Sequence, residues 1–288
     1  MRWIITFIAG LAMPLAFAPF SLWPLALVAF AVLYFYVQEA TPKTAWRLGW
    51  IFGFPYFAFG VSWIYNSLHD FGAAIPAVAA FMTLLLVLIL SLFPAMSCYL
   101  FARFRIRSPI FNCVLFASSW TVFELLRGWI FGGFPWLVSG YSQTESVFRG
   151  FAPYAGVYGV TWTVVLFSAL LGFLVGGLLL RRRTLSRYVA LSGLIAIPLV
   201  GSVLIGVEHS QPKSNSLKFR LVQGNIPQEL KFSEERLINS LETYVKLSEQ
   251  DPEPVDIVVW PETAIPTTFS RVDNALLPFV QRLSLIHI

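Results

Sequence analysis

The clearest candidate for chemistry is a glutamate that follows a short apolar run late in the sequence. The run VDIVVW ends at Trp260, and Glu262 comes directly after Pro261. In layered α/β folds, reactive groups lie beyond the carboxyl ends of the strands. Apolar neighbours disfavour the charged form of a carboxyl group, which makes it able to accept a proton near neutral pH. On these grounds two interpretations of Glu262 stay open, a helix-cap or loop carboxylate and a general base.

A second group of reactive side chains lies in the apolar part of the chain. Glu124 and Arg127 are three residues apart, so they share one face of a helix. Their position at the end of an apolar segment predicts a polar pair at the edge of a bilayer, and binding of a lipid headgroup is a further hypothesis. Cys98 and Cys113 lie inside apolar segments without metal-site or disulfide spacing, so we interpret them as small buried hydrophobic residues.

The composition divides the chain into an apolar part and a polar part. Of its 288 residues, 57% are hydrophobic and only 12% are charged, with a mean hydropathy of +0.71, whereas a soluble domain carries about 25% charged residues. Residues 1–207 contain 12 basic and 4 acidic side chains, and residues 208–288 contain 8 basic and 11 acidic ones. We therefore predict a transmembrane domain over 1–207, a linker over 208–216 and the start of a soluble domain over 217–288.

About seven apolar segments are candidates to cross a bilayer, for which a helix needs about 20 residues. Two lie in the uncharged stretch between Arg2 and Glu39, and the other five lie within 47–70, 71–101, 108–126, 153–180 and 188–207. Basic residues are concentrated in alternate connections, which predicts a cytoplasmic N-terminus. After an odd number of spans, residues from Glu208 onward are expected outside the cytoplasm.

The connection after the fifth predicted span is rich in aromatic residues and glycine. Its sequence over 127–156 is RGWIFGGFPWLVSGYSQTESVFRGFAPYAG. One interpretation is a belt of aromatic side chains at the membrane–water boundary. The other is a surface that handles a lipid chain or docks the outer domain.

After the polar stretch QPKSNS, the pattern becomes that of an α/β domain. LKFRLVQGNIP alternates and then turns at Gly224 and Pro227, which predicts a strand. Ser233 is a candidate helix cap, and apolar residues repeat at helical spacing after it. VDIVVW is almost wholly apolar, as expected for a strand that is buried on both faces. Strand, helix and strand in this order predict a βαβ unit.

The residues around the two predicted strands resemble a known superfamily. WPETAIP at the end of the apolar strand, with LVQGNIPQELKF before it, is similar to the nitrilase, or carbon–nitrogen hydrolase, superfamily. With several membrane spans in front, the chain resembles the apolipoprotein N-acyltransferase family, and FELLRGWIFGGFPWLVSGYSQ resembles that family's extracytoplasmic connection. The resemblance implies an α-helical multi-span membrane domain followed by the truncated start of an α/β nitrilase-like domain, an α-β-β-α sandwich in the family.

The resemblance also implies a Glu–Lys–Cys triad. The triad would transfer a fatty acyl chain from a phospholipid to the N-terminal diacylglyceryl-cysteine amine of an apolipoprotein through a thioester, and Glu262 matches its general base. Phe232 stands where the family often has Trp, so we expect a substrate-facing or a packing role. No lysine follows Lys246 and no cysteine follows Cys113. We therefore expect an N-terminal fragment that is inactive by itself, with a foreign or misread tail after Arg282.

The resemblance further implies a multi-pass protein of the bacterial inner membrane whose nitrilase-like domain is periplasmic. The expected partners are a phospholipid acyl donor, a diacylglyceryl apolipoprotein acceptor and the membrane. We expect a monomer, and we expect no cofactor, metal or nucleic acid. Two alternatives stay open, namely a membrane-tethered nitrilase-type amidase and a non-enzymatic multi-span transporter or binding protein. The near absence of ionisable groups from the spans argues against transport.

Overall fold

The computed structural model describes residues 1–179, 185–211, 216–227, 237–251, 253–262 and 264–265. The chain divides into two compact units, Met1–His209 and Ser210–Ile288. The first unit is helical, and the described part of the second combines two strands with one helix.

Eight helices make up the described part of the first unit. Their order is α1 (Arg2–Ala12), α2 (Pro24–Val37), α3 (Pro42–Gly60), α4 (Trp63–Asn66), α5 (Pro76–Phe104), α6 (Pro109–Arg127), α7 (Ala152–Leu179) and α8 (Ser186–Ile205). Short 3-10 helices cover Met13–Ala16, Ile130–Gly132, Ser139–Gln143 and Val147–Phe151, and a π turn covers Ser67–Phe71. The axis of α7 breaks at Gly156, whose φ of 62° favours glycine.

Proline and hydroxyl side chains determine where several helices begin. α2, α3, α5 and α6 each have a proline in the first turn, where the missing N–H costs little and the fixed φ is already helical. The Thr41 hydroxyl caps α3 by accepting from the Thr44 N–H at 3.4 Å, and the Ser108 hydroxyl caps α6 by accepting from the Phe111 N–H at 3.5 Å. Both helices therefore have defined starts.

Aromatic rings fill the core of the first unit. Phe30, Phe52 and Trp120 are buried, and their ring centres lie 4.7, 5.8 and 6.0 Å apart. The backbones of α3 and α5 approach closely at Gly49, where an added Cβ would lie 2.9 Å from the Cα of Ala95. Small residues at such contacts allow helices in a membrane to pack against each other.

The helices support fewer membrane spans than the seven predicted. Among the described residues, four helical segments are long and apolar enough to cross a membrane: Pro76–Phe104, Pro109–Arg127, Val147–Leu178 and Ser186–Ile205. A fifth is reached if Pro42–Gly60 and Trp63–Phe71, which meet at a bend of 48°, count as one span. The apolar helices Arg2–Ala16 and Pro24–Val37 are shorter than the roughly 20 residues that a span needs. The predicted number is therefore not confirmed, because the first two segments form short helices.

In the second unit, the predicted order of strand, helix and strand is confirmed. The elements are β1 (Phe219–Leu221), α9 (Leu237–Glu249) and β2 (Ile257–Val259), and β1 and β2 pair in parallel. Parallel neighbours require a crossover connection, and α9 lies within it. The expectation that VDIVVW is buried on both faces is not met in the described part. Val258 and Val259 are 38% and 40% exposed, and the sheet in the described residues has two strands.

Candidate functional site

Glu262, the predicted general base, lies directly beyond the carboxyl end of β2. β2 ends at Val259, and the Ala264 N–H donates to the Pro261 carbonyl at 3.2 Å in a turn around Glu262. The side chain of Glu262 is exposed. The expected desolvation by apolar neighbours is therefore not met in the part of the chain that the structure describes. Its place after the strand is as expected, and its role as a base stays a prediction.

The tryptophan before Glu262 fixes the course of the chain where β2 ends. Trp260 stacks on Tyr244 of α9 with ring centres 5.4 Å apart, and its Nε1–H donates to the Ser248 hydroxyl at 2.9 Å. Tyr244 packs in turn against Val222, which follows β1. A small apolar core thus joins both strands to α9 and positions the backbone that leads to Glu262.

The stretch after β1 leaves the same edge of the sheet. Because the strands are parallel, with Leu221 opposite Val259, the residues that follow them start side by side. Gly224 approaches α9 so closely that an added Cβ would lie 2.6 Å from Cε1 of Tyr244. Asn225 has a φ of 48°, a left-handed conformation that asparagine adopts more readily than most residues. The close approach at Gly224 and the left-handed backbone at Asn225 therefore suit the residue types found there.

Other predicted residues contribute no chemistry that the structure displays. Phe232 and Ser233 lie outside the described residues, so the substrate-facing or packing role of Phe232 stays a prediction. Cys98 and Cys113 are both fully buried, which confirms that they behave as core residues. Within the described ranges, no group of three His, Cys, Asp or Glu side chains is placed to hold a metal ion.

A second polar site is buried where α6 ends, and Glu124 is at its centre. Glu124 is 4% exposed. Its carboxylate accepts from the Ser139 N–H at 3.0 Å, from the Ser139 hydroxyl at 2.6 Å and from the Thr161 hydroxyl at 3.0 Å. The Thr161 oxygen also accepts from the Gly140 N–H at 2.9 Å. Glu124 thus ties α6 and α7 to the first residues of the 3-10 helix Ser139–Gln143 through charge-assisted bonds.

Arg127, which is 2% exposed, binds the backbone of the connection over residues 127–156 that follows α6. Its guanidinium donates to three carbonyls, those of Phe134 at 2.7 Å, of Trp136, and of Leu137 at 3.5 Å. The Tyr56 hydroxyl of α3 donates to the same Leu137 carbonyl at 2.6 Å. At the depth of a membrane, carbonyl groups outside regular structure need protein donors, because water is scarce. Arg127 and Tyr56 supply those donors.

Glu124 and Arg127 do not form the predicted pair with each other. Among the described side chains, no ion pair joins them, because the connection provides nearer partners to both. The cavity beside them, which Tyr56 and Trp120 also line, has room for about 10 Å³ of solvent. That is the space of a single water molecule. The guanidinium of Arg127 is used by backbone carbonyls, so the structure gives no support to the hypothesis that the two residues bind a lipid headgroup.

Comparison with known proteins places the chain in a family. The family model described as "Apolipoprotein N-acyltransferase N-terminal domain" matches residues 9–170. The chain is 42% identical to the apolipoprotein N-acyltransferase of Azotobacter vinelandii, over 96% of this chain and 55% of that protein. It is 39% identical to that of Coxiella burnetii, over 92% and 54%, and 37% identical to that of Methylococcus capsulatus, over 93% and 52%. The chain belongs to the apolipoprotein N-acyltransferase family.

The region that the family model matches contains one of the two sites and not the other. The buried cluster of Tyr56, Glu124, Arg127, Ser139 and Thr161 lies wholly within residues 9–170. Glu262 lies outside that region. The alignment with the A. vinelandii relative covers 96% of the 288 residues, so it includes at least part of the segment from Glu262 onward. The chain spans about half the length of the curated relatives it matches.

Sequence reasoning missed three members of the buried cluster. Tyr56, Ser139 and Thr161 stand in no motif that marks them as partners of a buried charge. The available signal was the presence of two charges in an apolar segment, since buried charges require polar partners. That signal predicts that partners exist without identifying them.

Proposed function

We propose that the chain provides the membrane part and the general base of an apolipoprotein N-acyltransferase. The proposed reaction moves a fatty acyl chain from a phospholipid to the N-terminal amine of a diacylglyceryl-modified cysteine in an apolipoprotein. The single observation that carries the proposal is the position of Glu262 directly beyond a parallel strand, in a chain of this family. An acid in that position is open to a substrate and supported by the fold.

In the proposed reaction, Glu262 accepts the proton of a cysteine thiol. The thiolate attacks the ester carbonyl of the phospholipid, and a lysine stabilises the oxyanion that forms. The carbon–oxygen bond then breaks, the lysophospholipid leaves with the proton held by Glu262, and a thioester remains. The acceptor amine attacks the thioester and gives up a proton to Glu262. An amide forms and the thiolate leaves, so the base and nucleophile are regenerated after the proton returns to the thiolate.

The thiol and the lysine of this scheme do not follow Glu262 in the sequence. No cysteine follows Cys113 and no lysine follows Lys246. Cys98 and Cys113 are buried within α5 and α6, where they reach no ester. We therefore propose that these 288 residues alone do not form the thioester.

We also propose the location and topology that the sequence predicts. The chain would be a monomeric, multi-pass protein of the bacterial inner membrane, with seven spans over 1–207, a linker over 208–216 and a periplasmic nitrilase-like domain from 217. α1 and α2 contribute either two spans or none. If the bent pair Pro42–Gly60 and Trp63–Phe71 forms one span, a count of seven or of five is odd, and the predicted side of Glu208 is the same in both cases.

A chimera tests the proposed activity. Residues 1–265 are joined to the remainder of the A. vinelandii relative and placed in nanodiscs with a phospholipid labelled in its acyl chain and a diacylglyceryl lipopeptide. We expect the label to reach the amine of the lipopeptide. In the chimera, Glu262→Gln should lower kcat/KM by about 10²–10⁴-fold, the usual contribution of a general base. The 288-residue chain alone should transfer no label.

Glu253→Gln is the matched control, because Glu253 is an exposed acid of the same unit that precedes β2. Its rate should equal that of the unchanged chimera. An unaltered rate in Glu262→Gln would remove that residue from the mechanism. A chimera that hydrolyses small amides without moving the acyl label would favour the amidase alternative instead.

A further inference from the structure

A group of aromatic rings is exposed where α3 and α6 end. Trp63 of α4 and Trp136 of the connection have ring centres 5.4 Å apart, and Phe134 stacks on Trp136 at 5.7 Å. Trp63 and Trp136 keep 42% and 50% of their surface exposed. These three residues are called the aromatic surface here. Contiguous exposed apolar side chains of this kind mark contact with a partner or with lipid.

The two chain segments that carry the aromatic surface are expected to lie at the same depth in the membrane. α6 can cross a membrane by itself, and its 19 residues make it about 28 Å long, close to the thickness of the hydrocarbon layer. α3 also has 19 residues. Their C-terminal ends touch, because the Arg127 Cζ lies 5.3 Å from the centre of the Phe57 ring. Trp63 follows one end and the connection follows the other. Tryptophan favours the boundary between acyl chains and headgroups, so a phospholipid is the partner that fits.

Buried side chains hold the backbone beneath the aromatic surface. Arg127 donates to the carbonyls of Phe134 and Trp136, the two residues that supply rings from the connection. Residues 133–138 form neither helix nor strand, so their shape depends on these bonds. The bond between Glu124 and Ser139 fixes the position where this irregular stretch ends.

The burial of these charges needs a reason beyond packing. A glutamate and an arginine at membrane depth are costly, and apolar residues of similar size often stabilise a buried site as well or better. A short helical turn or a tight loop would close the connection without them. The charged residues are explained if the shape of residues 133–138 itself matters for function.

We propose that the aromatic surface takes up the phospholipid acyl donor at the membrane boundary, and that Arg127 and Glu124 are positioning residues for it. This inference rests on the proposed acyl transfer. Arg127 does not bind the phosphate, because its side chain is buried and its donors are used by backbone carbonyls. It acts on the lipid only through the rings that it holds in place.

The first test measures contact with lipid and needs no enzyme activity. The chain is placed in nanodiscs whose phospholipids carry bromine near the glycerol end of the acyl chains. The combined fluorescence of Trp63 and Trp136 is obtained by subtracting the fluorescence of a Trp63→Phe/Trp136→Phe variant from that of the unchanged chain. We expect bromine to quench the fluorescence of these two rings. Arg127→Lys should reduce the quenching about twofold or more, since an ammonium group does not reproduce the planar fork of a guanidinium.

The control for this test is Trp129→Phe. Trp129 is 80% exposed in the same connection, but its carbonyl is not among the three that Arg127 binds. The quenching of its ring should be the same with and without Arg127→Lys. If Arg127→Lys does not fold, Glu124→Gln provides the same readout. If Trp63 and Trp136 are quenched equally with and without Arg127→Lys, the positioning role of Arg127 is wrong. If neither ring is quenched, the aromatic surface does not contact lipid.

The second test uses the active chimera. Trp136→Ala and Arg127→Lys should each raise KM for the phospholipid by about tenfold with little change in kcat, because they affect uptake of the donor before chemistry. A loss confined to kcat would overturn the proposal. Quenching in a chimera that transfers no acyl chain would refute the proposed function and leave the lipid surface intact. Acyl transfer without quenching would refute the surface alone.

Discussion

Glu124 and Glu262 are both glutamates at the end of a secondary-structure element, yet the fold surrounds them in opposite ways. Glu124 lies in the last turn of α6, is 4% exposed and accepts hydrogen bonds from Ser139 and Thr161. Glu262 follows β2 and is exposed. Fixed donors hold the oxygens of the first acid inside the core, whereas the second acid lies at an exposed strand end. The same side chain therefore serves as a support in one unit and as a candidate base in the other.

The access of water in each unit explains this difference. In an apolar helical unit, an unpaired carboxylate is very costly, so Glu124 is retained only with a full set of partners. A loop beyond a strand is solvated, and water supports the charge there. We therefore expect replacements in the buried cluster to change stability and replacements beyond β2 to change rate.

Arg127→Met should produce the largest change in stability. It removes the donor for three carbonyls of the connection, those of Phe134, Trp136 and Leu137. Because buried acceptors without a donor are costly, we expect the free energy of unfolding to fall by about 3–5 kcal/mol. A thiol-reactive fluorogenic dye measures this during heating, because Cys98 and Cys113 are fully buried until the helices separate.

Arg149→Met is the matched control for Arg127→Met. Arg149 lies in the same connection and is exposed, with one bond from its guanidinium to the Thr144 carbonyl at 3.2 Å. Its replacement should change stability by less than about 0.5 kcal/mol. Similar losses in the two variants would mean that the burial of Arg127 has no special energetic role.

Glu124→Gln should have a smaller effect than Arg127→Met. Glutamine keeps one acceptor oxygen for Ser139 but presents an amide group to the Thr161 hydroxyl, which loses its acceptor. We expect a loss of about 1.5–3 kcal/mol in the same dye assay, the usual value for a hydrogen bond to a charged group. Glu145→Gln, at an exposed acid of the same connection, should change little. An equal loss there would indicate that net charge, and not bonding, sets the stability.

Gly224→Ala tests the packing that positions the end of β2. The new Cβ would lie 2.6 Å from Cε1 of Tyr244. Tyr244 has little freedom to move, because it is buried and stacked on Trp260. We expect a loss of about 1–3 kcal/mol, typical of overpacking, measured as faster hydrogen exchange of the α9 amides in the full chain. Gly206→Ala is the control, since its Cβ would have an ordinary contact of 3.5 Å with the Val203 carbonyl. Unchanged exchange in Gly224→Ala would show that the close approach is not required.

The long apolar helices and the order of β1, α9 and β2 were predictable, because their signals are local. Runs of apolar residues mark α5, α7 and α8, and alternation followed by Gly and Pro marks β1. The first two predicted spans were not confirmed for a reason that is also local. The 3-10 turn Met13–Ala16, which contains Pro14, follows α1, and the first two helices have 11 and 14 residues. The absence of charge between Arg2 and Glu39 indicated an apolar region but did not reveal helix length.

The buried cluster was only half predictable. The spacing of Glu124 and Arg127 correctly put both on one helix end, but the partners of Glu124 lie 15 and 37 residues away. Contacts over such separations depend on how helices pack and leave no periodic signal in the sequence. The exposure of Glu262 was not predictable for the same reason, because burial of a residue beyond a strand depends on contacts with elements elsewhere in the chain.

Glu262→Gln should have the smallest effect on stability. The side chain is exposed, and substitutions at exposed positions usually change the free energy of unfolding by less than about 0.5 kcal/mol. Hydrogen exchange of α9 should therefore be unchanged, although the same substitution is expected to have the largest effect on the rate of the chimera. Glu124→Gln should show the reverse order, with a large change in stability. If Glu262→Gln destabilises the chain as much as Glu124→Gln does, both acids are structural, and a slow chimera would reflect lost folding and not a lost base.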